Sequence, residues 1–230
     1  MLGDNLNILL AGSPNRVYNM DETAMYVNPD ANSLVIAEAG KPAPRVGQPD
    51  KDNLTVLLMV NAAGQTTAPF VVWGYERIPE RILEKMPPGW SYGRSPSGWM
   101  TAKIMYEYIC NEFYPDLVRR GVQFPVSVSL DGHASHLNIP LSEFCSTHGI
   151  IIICLPPNCT HIQVLDVVYF RPLKLKWVDV ENEFRRKNGV DMKKEDVPLI
   201  CMNCWKSMTL YRSSSLVFAR VACTHSTPNQ

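Results

Sequence analysis

A chain of 230 residues can form one domain with a sizeable core, and its 46% apolar residues favour a globular protein over a disordered one. Its 22 basic and 22 acidic side chains cancel, so no overall basic excess marks it as a stand-alone DNA-binding protein. Seven cysteines are too sparse for a small secreted disulfide scaffold, and neither a signal peptide nor a membrane-spanning stretch is evident. We therefore expect a reducing compartment, cytoplasm or nucleus, and no membrane partner.

The first half of the chain is predicted to consist of strands and loops. Apolar and β-branched runs predict strands at residues 16–20, 33–37 and 54–61. The first of these ends at Asp21. Residues 69–73 either pair with the last of these strands or form a separate extended piece. Prolines and glycines are frequent in residues 79–97, which predicts an irregular segment.

Helices and strands alternate in the second half. A helix is predicted at 101–119, with Thr101 as its N-cap. A strand at 125–130 ends at Asp131. The remaining segments are a helix at 137–148, a strand at 150–155 and a helix at 164–187 with Pro172 inside it as a kink or restart. The strand at 150–155 is a continuous apolar run, a pattern typical of strands buried on both faces.

Three aspartates have the placement that a two-metal nuclease requires. Asp21 and Asp131 each follow a β-prone run, and Asp166 opens a predicted helix. Carboxylates on adjacent strand ends and a facing helix can share two Mg²⁺ ions, which clamp the attacking and leaving oxygens in phosphodiester cleavage. Mg²⁺ takes oxygen ligands, so carboxylates are the expected donors. In isolation, each aspartate is more often a turn residue or a helix cap.

Several short sequence motifs resemble those of the catalytic domain of pogo/Tigger-type DDE transposases, the group that includes centromere protein B and the Jerky-like proteins. They are Asn19-Met20-Asp21-Glu22-Thr23, Leu130-Asp131-Gly132-His133, Ser135-His136, Leu155-Pro156-Pro157, Thr160-His161, Leu165-Asp166 and Phe170-Arg171-Pro172-Leu173-Lys174. The 34 residues between Asp131 and Asp166 fit the short spacing of this family. The resemblance implies an α/β fold of the ribonuclease H-like type, a mixed sheet flanked by helices. It also implies that Asp21, Asp131 and Asp166 are catalytic ligands of Mg²⁺ or Mn²⁺ and that DNA is the partner.

Further residues are candidates for supporting roles around these carboxylates. Glu22 lies on the opposite side of the strand from Asp21 and is predicted to be a supporting or surface group. His133 and His136 could orient Asp131 or contact phosphate, or they could cap the following helix. The basic stretch after Phe170 is either a phosphate-facing helix or an ordinary solvated one. Lys174 and Lys176, its basic residues nearest to Asp166, are the predicted DNA contacts.

The predicted organisation is a lead-in at residues 1–15, an endonuclease-like domain at 16–208 and an atypical tail at 209–230. In the family, helix-turn-helix domains precede the catalytic region, and the residues before Asp21 leave no room for them. Codons for the last sixteen residues, read in another frame, could encode a phrase typical of the family's end. We therefore expect a frameshifted tail.

The sequence predicts a nuclear, metal-dependent DNA endonuclease domain derived from a transposase. The alternative is a domesticated, catalytically silent nucleic-acid-binding or scaffold protein on the same fold. Whether the chain forms a homodimer, and which DNA it recognises, is left open by the sequence.

Overall fold

The computed structural model describes residues 13–27, 53–131, 138–155, 163 and 165–209. The strand expected at 33–37, His133, His136, His161 and nearly all of the atypical tail lie outside these residues. The domain boundaries and the frameshift therefore stay predictions.

Six strands form one mixed sheet in the order β4-β3-β2-β1-β5-β6. They are β1 (Val17–Tyr26), β2 (Asn53–Asn61), β3 (Phe70–Gly74), β4 (Ser91–Ser95), β5 (Val126–Asp131) and β6 (Ile150–Leu155). Strand β2 is antiparallel to both of its neighbours, whereas the β3–β4, β1–β5 and β5–β6 pairs are parallel. The strands that carry the first two aspartates are thus adjacent, as predicted.

The helices connect and cover these strands. They are α1 (Glu80–Leu83), α2 (Ala102–Tyr108), α3 (Tyr114–Arg119), α4 (Ile139–Thr147), α5 (Arg171–Asn188) and α6 (Val197–Thr209). A π-helical turn joins α2 to α3, and another at Asp166–Phe170 leads directly into α5. Thr101 caps α2 as predicted, since its side chain accepts a hydrogen bond from the backbone N–H of Ile104 at 3.3 Å. None of the described helices combines the length and apolarity needed to cross a bilayer.

Each face of the sheet carries its own apolar core, because side chains alternate along every strand. On one face, Met25 and Leu58 pack with Leu173 and Trp177 of α5. The opposite face packs Tyr18, Met20 and Leu57 of the strands against α2, α3 and α4. The indole N–H of Trp177 donates to the Tyr26 carbonyl at 3.0 Å, which fastens α5 to the end of β1. The helix that follows Asp166 is thereby held against the first strand.

A mixed sheet of this order, with a central β1 and helices on both faces, is the ribonuclease H-like fold. The predicted fold class is confirmed. The edge strand β4 is an addition beyond β3, paired with it in parallel.

Three local predictions differ from the structure. The first strand does not end at Asp21 but runs on to Tyr26, because β2 pairs with it along its whole length. Residues 79–97 are not wholly irregular, since they contain α1 and β4. The apolar strand β6 is not buried on both faces; it lies at the edge of the sheet, and most of its residues are only partly buried.

The proline inside the last predicted helix marks a restart. Pro172 occupies the first turn of α5, immediately after the π-helical turn at Asp166–Phe170. A π-helical turn shifts the backbone hydrogen-bonding register, and a proline near a helix start has no N–H to satisfy. The chain therefore continues as a helix through Pro172, and Asp166 stands at its beginning.

Candidate metal-binding site

Asp21 lies in the middle of the central strand, on the face that α5 covers. Alternation along β1 places Asn19, Asp21 and Met25 on one face, and Met25 belongs to the core beneath α5. In the antiparallel register Asp21 faces Leu58, which packs in the same core. The carboxylate is partly buried. It accepts a hydrogen bond through Oδ1 from the backbone N–H of Glu22 at 2.8 Å.

Asp131 ends the parallel neighbour of β1. The register pairs Asn19 with Ser129, so two residues further along both strands Asp21 and Asp131 stand at the same level. Adjacent strands are about 4.8 Å apart, and residues separated by two positions share a face. Val128 and Leu130 point into the core on the opposite face, which leaves Asp131 on the same face as Asp21.

Asp166 approaches this face from the helical layer. It is exposed and opens the π-helical turn that precedes α5. The residue before it is fixed to the first strand, since the backbone N–H of Leu165 donates to Asn19 Oδ1 at 3.2 Å. The strand and helix carboxylates are therefore held in one region by a direct hydrogen bond between their elements.

Electrostatics show that the three carboxylates share an environment. The pKa of Asp21 is raised from 3.8 to about 7, mainly by burial and further by the negative charges of Asp166 and Asp131. Hydrogen bonds from the Glu22 N–H and the Gln163 side chain oppose this shift. The pKa of Asp166 is also raised, because the surrounding protein excludes water from part of this otherwise exposed carboxyl group and because Asp131 is negatively charged, while Lys174 acts to lower it. Mutual repulsion of this kind is what a cation between the carboxylates would relieve.

The donor chemistry fits Mg²⁺ or Mn²⁺, because all three groups offer hard oxygen ligands. Within the described ranges, no three acidic, histidine or cysteine side chains stand close enough together to enclose an ion. An ion bound here would therefore have to draw the carboxylates closer. Their roles as metal ligands stay a prediction.

The other predicted residues divide by position. Glu22 follows Asp21 on the strand, so its side chain points to the opposite face of the sheet. Lys174 and Lys176 point in different directions, because side chains two positions apart on a helix are separated by about 200° around its axis. The charge of Lys174 acts on Asp166, whereas that of Lys176 acts on Glu183 and on Cys204 of α6. Only Lys174 faces the aspartates.

Two buried amide side chains at this site were missed by the sequence-based prediction. Asn19 and Gln163 are 1% and 4% exposed and join the first strand to the start of the last helical segment. Gln163 directly precedes the helix predicted at 164–187, and nothing in the sequence indicates its partner. Asn19 carried a usable signal, because it lies two residues before Asp21 and so shares its face.

A family comparison decides the classification. The model of the DDE superfamily endonuclease matches residues 51–211, more than half of the sequence. The chain belongs to this family. The resemblance inferred from the sequence motifs is thereby confirmed, and Asp131 and Asp166 fall within the matched region. No curated protein is similar enough in sequence to be matched.

Solved structures give more distant likenesses. The transposase in the Mos1 mariner paired-end complex with Mn is 12% identical in sequence, with a TM-score of 0.49. The superposition covers 89% of this chain and 60% of the transposase chain. The catalytic domain of Mos1 mariner transposase is also 12% identical, with a TM-score of 0.44. The superposition covers 89% of this chain and 90% of that domain. This chain thus spans about 60% of the length of the transposases in the complexes.

Proposed function

We propose that this chain is a metal-dependent DNA endonuclease domain, derived from a transposase, in which Asp21, Asp131 and Asp166 together bind two divalent cations. The observation that carries the proposal is geometric. The register of β1 and β5 sets Asp21 level with Asp131, and the hydrogen bond from Leu165 to Asn19 holds the segment that carries Asp166 beside them. The raised pKa of Asp21 supports it, since both other carboxylates contribute to the shift. Membership in the DDE endonuclease family and the ribonuclease H-like fold support it. DNA as partner and the nucleus as location belong to the same proposal.

Each carboxylate has a distinct structural task in this mechanism. Asp21, on the central strand, would serve both ions, and Asp131 and Asp166 would each hold one of them. When bound, the ions supply a water of lowered pKa and stabilise the leaving 3′ oxygen. This mechanism forms no covalent bond between protein and DNA, so it requires no nucleophilic serine, cysteine or tyrosine.

Metal-dependent nicking of supercoiled plasmid tests the proposed function. We expect the purified protein to nick DNA with Mg²⁺ or Mn²⁺ and Asp131→Ala to lower the rate by about 1000-fold, since metal clamping contributes several kcal/mol to the transition state. Asp116→Ala is the matched control, because Asp116 lies on α3 and is paired with Arg119 and Arg120. Metal-dependent nicking by Asp131→Ala at the wild-type rate would refute the proposal. DNA binding without cleavage by the wild type would favour the silent alternative.

We assign the phosphate contact of the basic helix to Lys174. It is exposed and close enough to Asp166 to act on its pKa, so a strand held at the carboxylates would pass near its ammonium group. Arg185, further along α5, is engaged instead with Glu181 at 2.8 Å and Asp191 at 2.7 Å.

The salt dependence of DNA binding separates the two lysines. Losing one phosphate contact flattens the slope of log affinity against log salt by about 0.9. We expect this change in Lys174→Ala and a wild-type slope in Lys176→Ala, since Lys176 faces α6. Binding to all DNA sequences should weaken alike. Parallel lines for wild type and Lys174→Ala in a salt titration would remove Lys174 from the interface.

A further inference from the structure

A buried chain of amide hydrogen bonds connects the first and third aspartates. Asn19 Nδ2 donates to Gln163 Oε1 at 2.9 Å, and Gln163 Nε2 donates to the Met20 carbonyl at 3.2 Å. The backbone N–H of Leu165 donates to Asn19 Oδ1 at 3.2 Å. Met20 and Leu165 are the residues immediately before Asp21 and Asp166. The two amides therefore link the backbone beside one carboxylate to the backbone beside the other.

The backbone fixes the orientation of both amide groups. Leu165 offers an N–H, so the oxygen of Asn19 must face it and the Asn19 NH₂ must face Gln163. Gln163 then accepts through its oxygen, and its NH₂ group points towards β1. There it donates to the Met20 carbonyl.

Strand β5 holds the same assembly from the other side. The hydroxyl of Ser129 donates to the Tyr18 carbonyl at 3.1 Å and accepts from Asn19 Nδ2 at 3.2 Å. Ser129 lies two residues before Asp131 and on the same face. The amides thus contact the elements that carry all three aspartates.

We propose that Asn19 and Gln163 are positioning residues for divalent cations: they hold the backbone beside Asp21 and set the approach of the segment that carries Asp166. This inference rests on the proposed function. Hydrogen bonds around the ligands of a metal are worth about 10- to 100-fold in metal affinity. Because both backbone segments are already held, less of their arrangement has to be fixed when an ion binds.

Direct Mn²⁺ binding in the absence of DNA tests the proposal. Gln163→Met keeps the length of the side chain but cannot donate to the Met20 carbonyl, and we expect Mn²⁺ affinity, measured by electron paramagnetic resonance, to fall about 10- to 100-fold. Gln163→Leu also lacks the donor, should lower Mn²⁺ affinity likewise and serves if Gln163→Met does not fold.

The chain offers a matched control at Asn61 and Gln65. Gln65 Oε1 accepts from Asn61 Nδ2 at 2.9 Å, the same contact as at the site, but Asn61 pairs with Tyr18 three residues before Asp21, at the end of β2. Gln65→Met should leave Mn²⁺ affinity unchanged. If both Gln163 variants lose stability but keep wild-type Mn²⁺ affinity, the amides are structural only and the inference is overturned. If the wild type binds no Mn²⁺, the proposed function fails together with it.

Discussion

Replacing Asp21 with asparagine is expected to increase the free energy of unfolding of the metal-free protein at pH 9 by about 2–4 kcal/mol. The pKa of Asp21 is raised from 3.8 to about 7, so above pH 7 the folded protein carries an ionised carboxylate that burial and two neighbouring charges disfavour. Asparagine removes that charge and can still accept the hydrogen bond from the Glu22 N–H. The exchange should stabilise the fold while it removes a ligand.

The pH dependence follows from the direction of the shift. Below about pH 4 the Asp21 carboxyl is protonated in the folded and the unfolded chain alike, so wild type and variant should be similarly stable. As pH rises towards 7, the unfolded chain releases its proton while the folded chain retains it, and wild type loses stability relative to Asp21→Asn. Urea unfolding at pH 4, 6 and 9 measures this difference. Asp116→Asn, which removes the partner of Arg119 and Arg120, should destabilise instead. An equally large gain for Asp21→Asn at pH 4 would contradict the electrostatic explanation.

Adding Mn²⁺ is expected to stabilise the wild type strongly and Asp166→Asn hardly at all. A cation that binds only the folded state at 1000 times its dissociation constant adds about 4 kcal/mol to the free energy of unfolding. That binding requires the carboxylates to approach one another, and Asp166 is the only one of the three carried by the helical layer. Its loss should therefore remove most of the gain.

Thermal unfolding with and without Mn²⁺ measures this effect at pH 8, where competition from protons on Asp21 is small. Lys176→Ala is a suitable control on the same chain, because Lys176 acts on Glu183 and Cys204 rather than on the aspartates. Equal Mn²⁺-induced shifts in wild type and Asp166→Asn would show that the ion binds elsewhere.

Much of the sheet could be predicted from local patterns, since β2 and β5 are dense in apolar and β-branched residues. Strand β4 could not. Ser91-Tyr92-Gly93-Arg94-Ser95 has no apolar alternation and forms a strand by pairing in parallel with β3. Gly93 shows why its composition suits that place: a Cβ there would come within 2.9 Å of both Ile104 and Phe70. The fit of α2 over this strand depends on a tertiary contact that no local pattern reveals.

The edge position of β6 was also beyond local reasoning. An apolar run fits a strand with neighbours on both sides and equally one at the margin of a sheet, and only the strand order distinguishes them. By contrast, the separation of Lys174 from Lys176 follows from helical periodicity alone, so this distinction was available in the sequence.

The three carboxylates of the site could be predicted from the sequence, but the buried amides that hold their elements together could not. Asp21, Asp131 and Asp166 could be identified because each lies within a family-like sequence motif and adjoins a predicted strand or helix. The contact between Asn19 and Gln163 joins residues 144 positions apart, and neither position shows its partner in the sequence. Buried amides are selected by the groups that surround them, and these are known only once the chain is folded.

The most direct test of the central claim is to locate Mn²⁺ by anomalous diffraction from crystals of the protein grown with the ion. We expect two peaks about 4 Å apart, with oxygens of Asp21 contacting both and Asp131 and Asp166 each contacting one. The carboxylates should stand closer together than in the metal-free structure. Anomalous peaks that are absent from this face of the sheet, or that contact none of the three aspartates, would contradict the claim that they form a metal-dependent nuclease site.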